Sequence, residues 1–283
     1  MGDRRLEEKR ITADRMKAGE QIRELIAYRE LVLTLAKKNF IVRYKQTILG
    51  YAWAFLQPLV TALVMGLAFG RILGLSSDGL PGMLFYLCNT AVWGFFAENV
   101  RANAKTFTAN AYLFGKVYFP RMVMPLSTML LNMVTFGIQM MMVLLCLCLY
   151  AAMGRIPVQP LNWIFLIPLT VQVGVLGMSI GIAISSLTTR YRDLVMLVEF
   201  GLQLWMYVTP VVYPLSQIGN PVLLKLLQLN PMAMPMELFR LALFGKGTIS
   251  GYGLMWCLVC TVIVLLAAVS LFNRVERTFM DTV

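Results

Sequence analysis

Three ionisable side chains, Glu98, Arg101 and Glu199, fall inside stretches that are otherwise soluble in lipid. A charge held at membrane depth is costly, so such residues mark ion pairs, transport pathways or gates. Glu98 and Arg101 stand three apart, the spacing at which helical side chains pair, whereas Glu199 stands alone in its own apolar run. A pair that fixes helix packing and a role in a pathway or gate are both open. Proton coupling is disfavoured, because the chain has no histidine and one or two carboxylates make a poor relay. The five cysteines, Cys88, Cys146, Cys148, Cys257 and Cys260, all lie in apolar segments. Cys257 and Cys260 have the spacing of a redox motif but no activating cation beside them, so they read as small packing hydrophobes. No Cys and carboxylate cluster has ligand spacing, and no metal site is expected. Gly-x-x-x-x-Gly-Lys-Ser/Thr is absent; Gly115-Lys116 and Gly245-Lys246-Gly247 lack the earlier glycine and the hydroxyl that would meet magnesium. Nucleotide hydrolysis is therefore expected on another chain.

The elements that must position these residues are membrane helices. Hydrophobic residues make up 59% of the 283 and charged ones only 14%, against roughly 25% charged in soluble domains. Crossing the hydrocarbon takes about 20 apolar residues, and six stretches meet that need: 51–72, 83–100, 122–152, 163–187, 194–213 and 252–272. The fold expected is all-α, a polytopic bundle of six transmembrane helices. Between the fifth and sixth spans, 214–251 holds two half-length apolar runs, 223–229 and 234–244, separated by proline. Neither can cross alone, so they are expected as short re-entrant or interfacial helices.

The chain divides into a flexible leader (1–20), an amphipathic helix lying on the membrane surface (21–42) and a transmembrane domain (43–283). Residues 1–17 have no apolar core of the kind a cleavable signal needs. In 21–42, Ile22, Leu25, Ile26, Leu33, Ala36 and Phe40 recur at roughly helical spacing, which favours contact with a bilayer. Twelve of the 25 Lys and Arg precede Tyr51, beside the first span, so the net charge of +11 points to membrane lipids or an acidic partner and not to nucleic acid. With both termini in the cytoplasm, 20 cations lie inside and five outside, the bias that sets membrane orientation.

Four landmarks then occur in order: Arg-Tyr-Lys-Gln-Thr-Ile-Leu-Gly-Tyr-Ala-Trp-Ala-Phe-Leu-Gln-Pro (43–58), Tyr-Arg-Asp-Leu (191–194), Thr-Pro-Val-Val-Tyr-Pro (209–214) and Asn-Pro-Met (230–232). In register they resemble the ABC-2 type permeases that export bacterial polysaccharides such as O-antigen, capsule and teichoic acid. The resemblance covers essentially everything after the leader, which is longer than the family usually has. It implies a permease of the bacterial inner membrane that works as two copies, with two separate ATP-binding-cassette ATPase subunits carrying ATP and magnesium. This chain would hold no cofactor of its own, and the cargo would be a polysaccharide borne on a lipid carrier. A drug or lipid as cargo keeps the same fold. A membrane glycosyl or acyl transferase is the more distant alternative, and it would need a catalytic His or carboxylate cluster at a membrane face.

Sugars present hydroxyls that are costly to desolvate and C–H faces that stack on aromatic rings. A polymer path lined by rings and few charges lets the chain slide. The resemblance places the first and fifth spans at that path, which selects Tyr51, Trp53, Phe55, Trp205, Tyr207 and Tyr213; interface anchoring is the competing role for rings near span ends. A detached ATPase acts on the spans through cytoplasmic elements. The candidates are Lys105 and Lys116 in the loop 102–121, and Arg190, Tyr191, Arg192 and Asp193 in the short turn between the fourth and fifth spans, where Asp193 is expected to cap the following helix.

Overall fold

The computed structural model describes residues 18–45, 48–114, 116–117, 119–157, 160–188, 191 and 193–280, with side chains described for 23–275 of these. Arg190 and Arg192 lie outside the described residues, as does most of the leader. Among the described residues there are eleven α-helices and no strand. They are α1 (Ala18–Ala27), α2 (Arg29–Lys45), α3 (Trp53–Met65), α4 (Gly82–Asn103), α5 (Thr106–Phe114), α6 (Val123–Ala152), α7 (Leu166–Thr188), α8 (Leu194–Val208), α9 (Pro221–Gln228), α10 (Ala233–Phe244) and α11 (Gly251–Met280).

Among the described residues four helical segments are long and apolar enough to cross a membrane: Gly50–Ile72, Val123–Ala152, Pro160–Thr188 and Gly251–Val275. The first combines a 3₁₀ turn at Gly50–Ala52, α3 with Pro58 inside it, and a π-helical stretch at Gly66–Ile72. The third combines a 3₁₀ stretch at Pro160–Phe165 with α7. The 22 residues of α4 are long enough, yet they carry Asn89, Glu98, Asn99, Arg101 and Asn103. Surroundings explain that composition. α4 packs against α3, α6, α7 and α10, and 15 of its 22 residues are buried, so its polar groups meet protein where an outer helix would meet lipid. α8 is the opposite case, with Leu202 its one buried residue among 15 and Met196, Leu197, Phe200 and Leu204 exposed.

The α4–α7 seam is set by small residues. A Cβ on Gly181 would lie 2.6 Å from Asn103 Cβ and 2.7 Å from the Val100 carbonyl oxygen, and one on Gly177 would lie 2.9 Å from the Phe96 carbonyl oxygen. Glycine there lets the two backbones approach as membrane helices do when they lack a hydrophobic drive to associate. One core gathers α4, α6, α7, α8 and α10 around Phe85, Phe95, Phe96, Phe136 and Phe239. A second joins α2, α5, α6, α7 and α11 around Phe107, Met178 and Phe272.

The 21–42 stretch is covered by α1 and α2, with helical backbone bonds continuing across Tyr28; α2 packs along α6 with Val32, Ala36 and Tyr44 buried, while Leu33, Ile41 and Val42 stay exposed. Two expectations are corrected. The fifth apolar run leaves the helix after Val208: Thr209 is extended (φ −92°, ψ 144°), the conformation favoured before a proline, here Pro210. Asp193 holds the N-cap position of α8 but makes no side-chain capping hydrogen bond; its backbone is helical (φ −68°, ψ −21°), whereas a capping residue takes an extended one. The two half-length runs after α8 do form separate short helices, α9 and α10. Asn220 caps α9 by accepting from the amides of Val222 and Leu223, with Pro221 at the first helical position.

Candidate functional site

Glu98 and Arg101 pair as their spacing requires, with Arg101 Nη1 2.9 Å from Glu98 Oε2. The pair is the middle of a longer ladder. Arg43, at the end of α2, donates to Glu98 Oε1 at 2.7 Å, and Arg101 Nε donates to Glu199 Oε2 of α8 at 2.7 Å. Lys105 Nζ closes the row 4.0 Å from Glu199 Oε1. Glu199 is therefore not alone: three-dimensional packing supplies the partner that its own helix lacks. Arg43 also donates to Asn132 Oδ1 of α6 at 3.4 Å, and Asn132 Nδ2 donates to Asn99 Oδ1 at 3.3 Å.

The signs alternate along the row, so each charge is neutralised by its neighbours, and four helices are tied at one level: α2, α4, α6 and α8. The side chains keep about a third to two-fifths of their exposure, from 32% at Glu98 to 44% at Lys105. Water therefore screens them, and each pair adds modest stability. What the ladder fixes is relative position, since five charged heads with matched partners permit one arrangement of α2, α4 and α8.

A second polar group lies at the other end of α4. Glu237 and Arg240 of α10 pair while almost wholly buried, at 1% and 0% exposure. Glu237 also accepts from the amides of Leu215 (3.0 Å) and Thr248 (2.9 Å). The Arg240 guanidinium stands 4.9 Å from the Phe85 ring centroid, a cation held on an aromatic face. One carboxylate thus pins the segment before α9 and the segment after α10 to α10 itself.

Asn230 makes a neighbouring junction. Its Oδ1 accepts from Trp205 Nε1 (3.1 Å) and the Met232 amide (3.0 Å), and its Nδ2 donates to Thr209 Oγ1 at 2.8 Å. Two sequence landmarks, 209–214 and 230–232, are joined by that last bond. Nearby, Asn89 Nδ2 donates to the Val211 carbonyl oxygen at 2.9 Å and ties α4 to the same turn.

The six aromatics expected along a path fall in three places. Tyr51 is exposed and stacks on Phe40 at 5.6 Å between centroids, and Trp53 beside it is also exposed; Phe55 is half-buried. Trp205 is half-buried and edge-on to Phe96 (5.2 Å) and Trp93 (6.3 Å). Tyr207 and Tyr213 line one open hollow of about 470 Å³ with Leu223 and Leu226 of α9. They share it because α8 ends at Val208 and the chain turns back, which puts the Tyr213 hydroxyl 3.4 Å from the Val208 carbonyl oxygen.

Among the coupling candidates, Lys105 belongs to the ladder, and Lys116 lies 4.0 Å from the Tyr112 ring centroid. Tyr191 and Asp193 are exposed. Among the described residues no group of three His, Cys, Asp or Glu side chains is placed to hold a metal. Cys257 is buried, accepts from Gln172 Nε2 and donates to the Pro231 carbonyl oxygen, so its sulfur serves in packing.

Sequence reasoning missed Arg43 as a ladder member and missed the Glu237–Arg240 pair. The second was detectable, for it has the same spacing of three in an apolar helix that marks Glu98 and Arg101. Arg43 gave no such signal, because its partner is 55 residues away.

The family model described as ABC-2 type transporter matches residues 30–244. Over 265 residues the chain is 28% identical to the O-antigen export system permease protein RfbA of Myxococcus xanthus, covering 93% of this chain and 98% of that protein. Two proteins of the same description from Klebsiella pneumoniae are 29% and 26% identical, each covering 89% of this chain and 94% of the relative.

Proposed function

The chain belongs to the ABC-2 type transporter family, and we propose that it is the membrane permease subunit of an exporter that carries a bacterial polysaccharide such as O-antigen out of the cytoplasm. The observation that carries this reading is the end-to-end similarity, in both directions, to permeases described as exporting O-antigen. Capsule polysaccharide and teichoic acid are alternative polymer cargoes.

In this reading α4 and α8 join the four long apolar segments as spans, giving six, with both termini in the cytoplasm of a bacterial cell whose inner membrane holds the protein. Two copies stand side by side, since the exposed apolar faces of α3 (Leu56, Val60, Leu63) and α8 (Met196, Phe200, Leu204) leave room for a path between copies that one bundle does not enclose. Tyr51, Trp53, Phe55, Trp205, Tyr207 and Tyr213 supply rings along it. Two ATP-binding-cassette subunits below hold ATP and magnesium. They act on the spans through α5 and the 188–193 turn, with Arg190, Tyr191, Arg192, Asp193, Lys105 and Lys116 on that side. The ladder from Arg43 to Lys105 sets the relation between α2 and the two spans α4 and α8, so a displacement below is passed on without slack. The cargo travels on a lipid carrier, whose anionic head is drawn to the cations around α2.

Deleting the gene in its host while keeping the ATPase gene tests the reading. Surface polysaccharide should vanish and the polymer accumulate inside, with both reversed by a plasmid copy. Unchanged surface polymer in the deletion strain would overturn it.

A further inference from the structure

The π-helical stretch Gly66–Ile72 follows α3 directly, more than a dozen residues beyond the end that adjoins the ladder. It leans on the first turns of α4 and leaves a hollow of about 500 Å³. The wall changes character along its length: Ala62, Leu63 and Leu67 are apolar, Arg71 and Ser77 are polar, and Tyr86 lies in the wall with its hydroxyl covered. Tyr86 is fully buried, and its hydroxyl has no hydrogen-bond partner among the described residues. Native proteins seldom leave such a group unpaired without a use for it.

Two further observations narrow the ligand. Arg71 is exposed and takes part in no ion pair found among the described residues, while the Ser77 hydroxyl is already spent on the Leu80 carbonyl oxygen. No carboxylate or side-chain amide belongs to the wall. The free side-chain groups are therefore a guanidinium, which only donates, and a phenol, which can donate or accept. A fixed cation with no carboxylate in the wall to neutralise it favours an anion over a neutral ligand. The apolar remainder excludes a wholly polar ion as the full occupant.

We propose that this hollow binds one phospholipid, its phosphate on Arg71, with the start of an acyl chain along Ala62, Leu63 and Leu67 and the unpaired Tyr86 hydroxyl uncovered on binding to donate to the phosphate. A cation at the rim with apolar wall behind it follows the order of polarity in a bilayer leaflet, and basic pockets between membrane helices take lipid headgroups. The backbone builds the site: a Cβ on Gly66 or Gly70 would lie 3.5 or 3.6 Å from the Tyr86 ring, so the ring rests on the helix and the phenol is held in the wall. Local π-helical turns often mark functional positions of this kind. The leaflet is the outer one, an assignment that rests on the orientation proposed above.

Native mass spectrometry of the delipidated full chain in detergent, titrated with dioleoylphosphatidylglycerol, tests the site. One lipid per chain should be retained, about tenfold more weakly by Arg71→Ala and about threefold more weakly by Tyr86→Phe, with Arg71→Lys between wild type and alanine. Tyr86→Phe keeps the ring on Gly66 and Gly70, so it removes the hydroxyl without disturbing the fold. Equal retention by wild type and both variants would overturn the proposal. So would loss in Arg71→Ala with Tyr86→Phe unchanged, which describes a surface cation and no built site. Retention of dioleoylglycerol as firmly as the phosphatidyl lipid, or displacement of the lipid by inorganic phosphate, would also overturn it. Labelling of Leu73→Cys by an impermeant reagent from the periplasmic side supports the leaflet; labelling from the cytoplasmic side alone overturns leaflet and orientation together, a result separate from the binding measurement.

Discussion

Arg101 Nε lies 2.7 Å from Glu199 Oε2 and joins α4 to α8 across 98 residues of sequence. The same guanidinium reaches Glu98, which in turn holds Arg43, so removing different rungs has different consequences. Glu98→Gln leaves Arg43 with no carboxylate and Arg101 with Glu199 alone, whereas Glu199→Gln leaves Arg101 on Glu98 and gives up only the longer 4.0 Å contact of Lys105. Both groups are about a third or more exposed, which limits the cost of Glu199→Gln to about 1 kcal/mol. Glu98→Gln should lower the melting temperature in detergent further and abolish export, while Glu199→Gln should mainly slow export. Equal effects would show that the two carboxylates are not distinguished by the partners each one holds.

The α4–α7 seam gives a sharper test of folding. Gly181→Ala drives a Cβ to within 2.6 Å of Asn103 Cβ and 2.7 Å of a backbone oxygen, and neither neighbour is the loose end of a long side chain. Overpacking of this kind costs about 1–3 kcal/mol. Gly201→Ala on α8 meets open space and should leave the melting curve unchanged or slightly raised, because alanine is the better helix former. A neutral Gly181→Ala would mean that the two helices are further apart than described.

Buried charge makes the α9–α10 region asymmetric. Arg240→Met leaves the Glu237 carboxylate held by the amides of Leu215 and Thr248. Glu237→Leu strands a fully buried guanidinium and both amides. Breaking a buried pair costs about 3–5 kcal/mol, so Glu237→Leu should fail to accumulate in the membrane, while Arg240→Met should be recovered at reduced yield. The reverse order, read from membrane levels, would discount the amide contacts.

Asn230 is a junction whose loss should be felt in transport more than in folding. Asn230→Ala removes acceptors and donors for Trp205, Thr209 and Met232, each worth about 1 kcal/mol. The end of α8 is then released from the start of α10 while the cores stay packed. Membrane levels near wild type with export down severalfold are expected, and Asn230→Asp should recover part of it, since Oδ1 is kept. Full export by Asn230→Ala would remove the junction from the mechanism.

How much of this could be read from the sequence depended on how far apart the partners are. The long apolar runs announced the helices to within a few residues, because length and hydropathy are local. So did the Glu98–Arg101 pair, a matter of one helical turn, and the short helices after α8, which proline separates. Glu199 looked solitary because its partners, Arg101 and Lys105, sit on another helix. The packing of α2 on α6 is illegible for the same reason: nothing in its own residues names α6 as the face that covers Val32 and Ala36. The Asp193 cap failed on backbone geometry, which residue type alone does not fix. Tyr86 is the clearest case, since a tyrosine in an apolar run reads as packing, and only the packed helices expose the missing partner of its hydroxyl.

α5 separates docking from packing within a single helix. Phe107 is fully buried and stacks on Phe272 at 4.6 Å between centroids, and its amide donates to Ser185 Oγ at 3.2 Å. That side anchors α5 to α7 and α11. Tyr112 is 74% exposed, with Lys116 beside it and the exposed Val117 following. An aromatic ring left in water at the tip of a well-anchored helix has the makings of a contact for another protein. Phe107→Ala should cost about 3–5 kcal/mol and reduce the amount of folded chain. Tyr112→Ala should be neutral to within about 0.5 kcal/mol, as exposed substitutions usually are, yet weaken recovery of the ATPase on the tagged permease and lower export with it. If the ATPase co-purifies undiminished with Tyr112→Ala and export is normal, α5 does not make the contact, and coupling passes through the 188–193 turn alone.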